Sequence, residues 1–207
     1  MPSLPTVTRT LLFANLAMYL VELALGDVVL VWLALWPWGA AVGPDAVAGF
    51  QPWQVITYSF LHGSVLHLVF NMLALYMFGA ELERLFGPRR FINLYFVSVL
   101  TAAATQLLVA ALSGGEPYPT VGASGGVFGL LLAYAMYFPR RMVMLLIPPI
   151  PMPARYFVVL YGALELYLGI TSQASGIAHF AHLGGMLGAW LVIRHWRGLP
   201  PFRRRPA

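Results

Sequence analysis

The feature that most constrains this chain is a series of six apolar segments. Each is roughly 17 to 25 residues long, which is the length a helix needs to cross a bilayer. We place them near residues 9–26, 65–86, 91–112, 122–138, 154–170 and 177–195. Only 9% of the residues are charged, against about 25% in a typical soluble domain. The sequence therefore predicts one all-α polytopic membrane domain over residues 1–207, with its core over about 9–195 and a basic tail over 196–207.

The arginines predict the orientation of these spans. All basic residues are arginine, and the connections 27–64, 113–121 and 171–176 contain none of them. Because basic residues are retained on the cytoplasmic side, we expect both termini in the cytoplasm. Arg9 is the only basic residue at the start of the first segment, and no convincing cleavage site follows this segment. We therefore expect a spanning helix rather than a signal peptide. Short arginine clusters between apolar runs do not form a binding stripe, and no nucleic-acid partner is expected.

The first outer connection, from Val28 to Trp53, is nearly as apolar as a span. It is rich in tryptophan, which prefers the membrane interface, and Pro37, Gly39, Gly43, Pro44 and Asp45 interrupt it. We predict a compact interfacial structure, and a broken seventh span is the alternative. On the cytoplasmic side, the proline-rich run 147–153 excludes a helix interior and predicts a stiff entry to the fifth span.

Polar residues in spans point to function because they are costly there. At about 1.5 Å per residue, Ser124, His182, His67 and Asn71 lie roughly 3 to 9 Å into helices that run from outside to inside. They are therefore expected at similar depth, in the outer third of the membrane. His67 and Asn71 share a helix face because they are four residues apart.

The serine and histidine indicate nucleophilic chemistry, because a serine hydroxyl needs a base and histidine is the usual one. Ser124 lies in the first turn of its helix, whose unpaired N–H groups, with the Asn71 amide and the His67 imidazole, can hold a developing oxyanion. Phe128 falls on the Ser124 face and can stack on the His182 ring. Ser124 alone or His182 alone is more often a packing residue. The hypothesis of nucleophilic chemistry therefore depends on their occurring together.

Glycines predict how the serine and histidine meet. Gly125 and Gly129 are four apart on the fourth span, as are Gly184 and Gly188 on the sixth. Helix faces made of such small residues let two helix backbones approach closely. We therefore expect packing of these helices to bring Ser124 to His182.

No carboxylate is expected to complete a triad. The acidic residues fall in outer loops, at the cytoplasmic end of the second span, or within the first and fifth spans. In that order they are Asp27, Asp45 and Glu116, then Glu81 and Glu83, then Glu22 and Glu165. We therefore predict a Ser–His dyad. The chain has no cysteine and no metal-spaced set of histidines and cysteines, so no metal and no cofactor are expected.

In these motifs the chain resembles the rhomboid intramembrane serine proteases, in the minimal six-helix form common in bacteria. The resemblance extends over about residues 9–195. The matching motifs are His62-x4-His67-x3-Asn71, Leu82-Glu83-Arg84-Leu85-Phe86-Gly87, Gly122-Ala123-Ser124-Gly125 and Ala181-His182-Leu183-Gly184-Gly185.

The resemblance implies that Ser124 is the nucleophile and His182 the general base. His67, Asn71 and the Ser124 backbone N–H would form the oxyanion hole. The supporting residues would be His62 near the cavity mouth, Phe128, Gly122 and Gly125, with Glu83 in a structural role. His179 competes for the role of base, but the family pattern selects the histidine that precedes Gly-Gly. Where the family often has Trp-Arg, this chain has Trp53-Gln54, so the anchoring of the first outer loop can differ.

The resemblance further implies substrates that are single-span membrane proteins, cut near the outer end of their helix where the backbone unwinds. They would enter past the fifth helix and the 171–176 loop. The protein would lie in a bacterial inner membrane with its site opening to the extracytoplasmic side. The alternatives are an inactive rhomboid-like chaperone or adaptor, whose known forms lack the serine or the histidine, and a solute transporter, which would need charged residues along a transmembrane path. The oligomeric state stays open.

Overall fold

The computed structural model describes residues 3–42, 47–113, 118–144, 149–171 and 178–202, and the described chain is mostly helical. The helices are α1 (Thr6–Leu25), α2 (Asp27–Leu33), α3 (Gln54–Thr57), α4 (Val65–Ala74), α5 (Ala80–Phe86), α6 (Pro88–Ser113), α7 (Ser124–Tyr137), α8 (Ala154–Thr171) and α9 (His179–Trp196). A π-helical segment, Leu75–Gly79, joins α4 to α5 in one continuous rod. Two short antiparallel pairs complete the fold: β1 (Ala41–Val42) with β2 (Val47–Ala48), and β3 (Met142–Met144) with β4 (Pro151–Pro153).

Three helical rods in the described chain are long and apolar enough to cross a membrane: 6–25, 65–86 and 88–113. α7 is apolar but has only 14 residues. The predicted all-α membrane fold is thus confirmed. The count of six spans, and the orientation with both termini in the cytoplasm, stay predictions.

α6 is the helix on which α9 packs, and small residues make the approach possible. Gly184 and Gly188 face α6, where a Cβ on Gly188 would come within 3.0 Å of the Val97 carbonyl oxygen. Gly185 faces α7 instead, where it lies against the backbone carbonyl of Gly125. The predicted pair, Gly184 and Gly188, therefore packs against α6, and Gly185 allows the close approach of α7.

Glu83 fastens the start of α1 to α5. Its carboxylate accepts hydrogen bonds from the Val7 N–H at 2.9 Å, the Thr8 N–H at 2.7 Å and the Thr8 hydroxyl at 2.8 Å. The first N–H groups of a helix have no partner within it, and the positive end of the helix dipole favours an anion there. These hydrogen bonds therefore give partners both to the buried carboxylate and to the N–H groups at the start of α1.

The first outer connection folds around the side chain of Gln54. Its Oε1 accepts from the Trp36 N–H at 3.3 Å and the Gln51 N–H at 3.1 Å, and its Nε2 donates to the carbonyls of Gly49 at 3.1 Å and Trp32 at 3.4 Å. The one amide thus anchors this connection where the family often has arginine. α2, with 7 residues, is too short for a seventh span. Gly43, Pro44 and Asp45 lie outside the described residues.

We expect Gln54→Leu to lower the free energy of unfolding by about 1 to 3 kcal/mol, because buried backbone groups around it lose their partners. The measurement is thermal unfolding in detergent. Ile56→Ala, at an exposed position of the same short helix, is the control and should change stability by no more than about 0.5 kcal/mol. Equal stability of Gln54→Leu and the unmodified chain would show that the amide does not anchor the connection.

The described part of the proline run, 149–153, lies in coil and in β4, as predicted. Residues 147 and 148 fall in a part of the chain that the structure does not describe. β4 pairs with β3 and leads directly into α8. The run therefore gives α8 a fixed starting point next to the end of α7.

Candidate active site

Ser124 is the first residue of α7, and the backbone before it is held to the first outer connection. Gly122 has a φ of +126°, which glycine adopts readily, and its N–H donates to the Tyr58 carbonyl at 2.9 Å. Two residues earlier, Thr120 and Leu35 exchange backbone hydrogen bonds at 2.9 and 3.0 Å. The position of Ser124 is thus set by both a helix start and a short backbone clamp.

The structure brings Ser124 and His182 together. The serine Oγ lies 2.8 Å from Nε2 of His182, which is hydrogen-bond distance. The Phe128 ring stacks on the imidazole with centroids 4.2 Å apart and planes 4° from parallel. The two side chains come from different helices, α7 and α9, at the level where Gly185 contacts Gly125.

A carboxylate lies behind the histidine, so the prediction that none is placed to complete a triad was wrong. Oε2 of Glu165 lies 2.9 Å from Nδ1 of His182 and 2.7 Å from Nδ1 of His179. α8 presents Glu165 inward, where the residue is only 8% exposed. The sequence placed it on a different span without showing which face would point inward. The available signal was chemical, because a carboxylate in an apolar helix requires a partner and α9 supplies two imidazoles.

The same three residues are the set in the described chain that can hold a metal ion. Glu165, His179 and His182 each offer one ligand atom, and these atoms lie within 4.8 Å of one another. Sequence spacing did not reveal the set because its members come from two helices. The contacts of 2.7 and 2.9 Å are those of hydrogen bonds between imidazole N–H groups and a carboxylate. The absence of a metal stays a prediction.

His67 and Asn71 lie one turn apart on α4. They line the same cavity as Ser124 and His182. The Asn71 amide donates one N–H to the His67 carbonyl at 3.0 Å. The His67 ring lies over Gly122, where an added Cβ would come within 2.9 Å of its Nε2. Only glycine at position 122 therefore leaves room for this imidazole beside the serine.

His62 is buried behind His67 and does not stand at the mouth of the cavity as predicted. It is 2% exposed, and its ring packs edge-on against the His67 ring with centroids 5.1 Å apart. Burial, with a smaller contribution from His67, lowers the pKa of His62 to about 4, so it is neutral at neutral pH. Its backbone N–H donates to the Glu22 carboxylate at 2.9 Å, which gives that residue of the first helix a partner.

A cavity of about 750 Å³ extends from Ser124 along α7. Its polar end holds Ser124, His182, His67 and Asn71, and apolar side chains form most of the remainder. The rod of α4 and the π-helical segment forms one wall and α8 another. The apolar lining includes Phe70, Met77, Leu131, Val143 and Phe157. The shape and chemistry suit an apolar polypeptide whose reacting group reaches the serine.

The fold and site define a polytopic helical membrane protein in which a half-buried serine contacts a buried histidine and carboxylate. The rhomboid domain family matches residues 49–196, and the chain belongs to this family. The resemblance seen in the motifs is thereby confirmed.

Named relatives come from several kinds of organism. The rhomboid protease GluP of Bacillus subtilis is 31% identical over 148 residues, covering 70% of this chain and 26% of the relative. The mitochondrial rhomboid protein 1 of Saccharomyces cerevisiae is 31% identical over 145 residues, covering 69% and 41%. The rhomboid protease GlpG of Salmonella choleraesuis is 32% identical over 129 residues, covering 62% and 42%. The chain spans about a quarter to a half of the length of the curated relatives it matches.

Proposed function

We propose that this chain is an intramembrane serine endopeptidase that hydrolyses peptide bonds in or near the transmembrane segments of other membrane proteins. The observation that carries the proposal is the hydrogen bond of 2.8 Å between the Ser124 hydroxyl and Nε2 of His182. This pair lies at the polar end of a cavity that is otherwise apolar. Two bacterial relatives are named rhomboid proteases, which supports the same activity here.

In the proposed reaction, Ser124 Oγ attacks the carbonyl carbon of the scissile peptide and its proton passes to Nε2 of His182. The carbonyl oxygen becomes an oxyanion, which the Ser124 backbone N–H, the His67 imidazole and the Asn71 amide stabilise. The C–N bond then breaks, and His182 delivers its proton to the leaving nitrogen. An ester of Ser124 remains.

Water completes the cycle. A water molecule gives one proton to His182 as its oxygen attacks the ester carbon. The new intermediate collapses, the bond to Ser124 Oγ breaks, and His182 returns the proton to that oxygen. The products are a carboxylic acid and the regenerated serine, with no change of oxidation state.

The apolar cavity supports a membrane-embedded substrate. A helix has its carbonyls hydrogen-bonded, so the segment must unwind before a carbonyl can reach Ser124. Single-span proteins that carry small or helix-breaking residues near their outer end fit this requirement. We place the entrance beside α8, whose Phe157 and Tyr161 line the cavity. Within the proposed 171–176 loop, the structure describes only Thr171. Six spans, cytoplasmic termini and a site open to the outer side of a bacterial inner membrane complete the proposal.

Covalent labelling tests the proposal. A fluorophosphonate probe is expected to modify the purified protein at Ser124, and Ser124→Ala is expected to remove both the label and the cleavage of tagged single-span proteins. Ser113→Ala, which removes an exposed hydroxyl at the end of α6, should retain both. Labelling that persists in Ser124→Ala would refute the assignment of the nucleophile. Binding of single-span clients without label or cleavage would indicate a chaperone or adaptor instead.

A further inference from the structure

Glu165 and His179 form a buried polar cluster with His182 that a serine–histidine dyad leaves without a role. The three residues are buried within the bundle of α8 and α9. One carboxylate oxygen, Oε2, is shared by the Nδ1 atoms of both histidines at 2.7 and 2.9 Å. A carboxylate transferred into an apolar environment is strongly disfavoured unless it is hydrogen-bonded, and these two contacts supply the hydrogen bonds.

The sharing of one oxygen determines where the protons lie. An ionised carboxylate only accepts hydrogen bonds, so each Nδ1 in contact with Oε2 must carry a proton. A neutral imidazole has one N–H, which means that Nε2 of His182 is left with its lone pair. That nitrogen is the one that lies 2.8 Å from the Ser124 hydroxyl. The cluster therefore selects the tautomer in which His182 can accept the serine proton.

The cluster also fixes the orientation of the ring. His182 is held at Nδ1 by Glu165, is close to Ser124 at Nε2, and is stacked on Phe128 across one face. The ring of His179 stands at 89° to that of His182, with centroids 6.4 Å apart. Both rings can therefore direct their Nδ1 atoms at one oxygen without contacting each other face to face.

We propose that Glu165 is a positioning residue for His182 and that His179 in turn holds Glu165, so that the site works as a Ser–His–Glu triad supported by a second histidine. The role of Glu165 in catalysis rests on the proposed function, whereas the protonation of His182 at Nδ1 does not depend on it. When His182 takes the serine proton it becomes an imidazolium, and the adjacent carboxylate stabilises that charge while remaining ionised. No additional proton is transferred.

The same contacts would also join α8 to α9 if Glu165 were merely structural. A structural role would change stability, whereas a positioning role changes kcat at constant KM. Glu165→Gln separates the two because the amide oxygen can still accept both hydrogen bonds and only the charge is lost. We expect kcat to fall by about 100-fold or more, by analogy with loss of the carboxylate from a triad, with KM unchanged. Glu81→Gln, which changes a half-buried carboxylate paired with Arg141, is the matched control and should retain full kcat.

The tautomer can be measured without any activity. In protein labelled with ¹⁵N-histidine, at a pH where histidine is neutral, Nδ1 of His182 is expected to be protonated and Nε2 not. The His182 signals are assigned by their loss in His182→Gln. Glu165→Leu should produce a mixture of tautomers. A His182 that is protonated at Nε2 in the unmodified protein would overturn the proposal. So would a fall in kcat of less than about tenfold in Glu165→Gln.

A chelator distinguishes protons from a metal between these three residues. Activity is expected to be unchanged in excess EDTA. Loss of activity that Zn²⁺ restores would replace the hydrogen-bonded cluster with a metal site and overturn the proposal. The failures are also separable: the expected tautomer without Ser124 labelling would reject the protease function alone. Normal cleavage by Glu165→Gln would reject only the role of Glu165.

Discussion

Replacing His182 with alanine is expected to lower kcat for peptide cleavage by about 10⁴- to 10⁶-fold, because no other base then accepts the serine proton. The expectation depends on the contact of 2.8 Å between Nε2 and the Ser124 hydroxyl. Labelling by a fluorophosphonate should be lost in parallel. Thermal unfolding should show that the variant remains folded, because the contacts of Glu165 with His179 persist.

His179→Ala is the matched control for the identity of the base. His179 lies three residues before His182 on α9 and contacts Glu165. Among the described contacts of Ser124, the histidine within hydrogen-bond distance of its hydroxyl is His182. We expect the loss of His179 to reduce kcat by no more than about 100-fold, as for residues that orient a catalytic group. A larger loss in His179→Ala than in His182→Ala would show that the base has been assigned to the wrong histidine.

Gly185→Ala is expected to lower both stability and activity, although it adds only a single methyl group. The new Cβ would collide with the backbone carbonyl of Gly125, which cannot rotate away as a side chain would. Overpacking of this kind costs about 1 to 3 kcal/mol. Because Gly125 follows Ser124 directly, separating α7 from α9 also withdraws the serine from His182. A displacement of about 1 Å can cost about 100-fold in rate.

Gly162→Ala on α8 provides the control for this substitution. A Cβ there would meet only Met186 Sδ, at an ordinary contact distance of 3.7 Å, and alanine favours a helix over glycine by about 1 kcal/mol. We expect stability and kcat to be maintained, as measured by thermal unfolding in detergent and by cleavage of a tagged substrate. If Gly185→Ala behaved like Gly162→Ala, close packing of α7 and α9 would not control the site.

Much of this architecture was predictable because the length of apolar segments and the positions of proline and glycine can be read directly from the sequence. Each of the predicted apolar segments is helical in the structure within a few residues of its expected bounds. Ser124 and His182 could be paired because each lies near the N-terminal end of its own helix. Depth along a helix follows directly from residue number, so residues of similar depth on different helices are candidates for contact.

Rotation about the helix axis was the part that could not be predicted. Whether Glu165 faces lipid or the bundle depends on how α8 packs, and its neighbouring sequence is apolar on every side. The same ambiguity hid the choice of Gly185 over Gly184 and Gly188 as the contact with α7. The π-helical segment in the second rod was also missed, because an extra residue in a helical turn leaves no mark in an apolar sequence. A carboxylate in such a helix should be treated as evidence of a partner.

The backbone clamp before Ser124 links the position of this residue to the membrane that surrounds the protein. Leu35 belongs to the connection that displays Trp32, Trp38 and Trp53 outward, and exposed indoles settle at the level of lipid headgroups. In a bilayer, the height of Ser124 is thus tied to the height of those indoles. Rate constants for this chain consequently characterise a protein together with its lipid or detergent, and bilayer thickness becomes a variable to be held fixed when variants are compared.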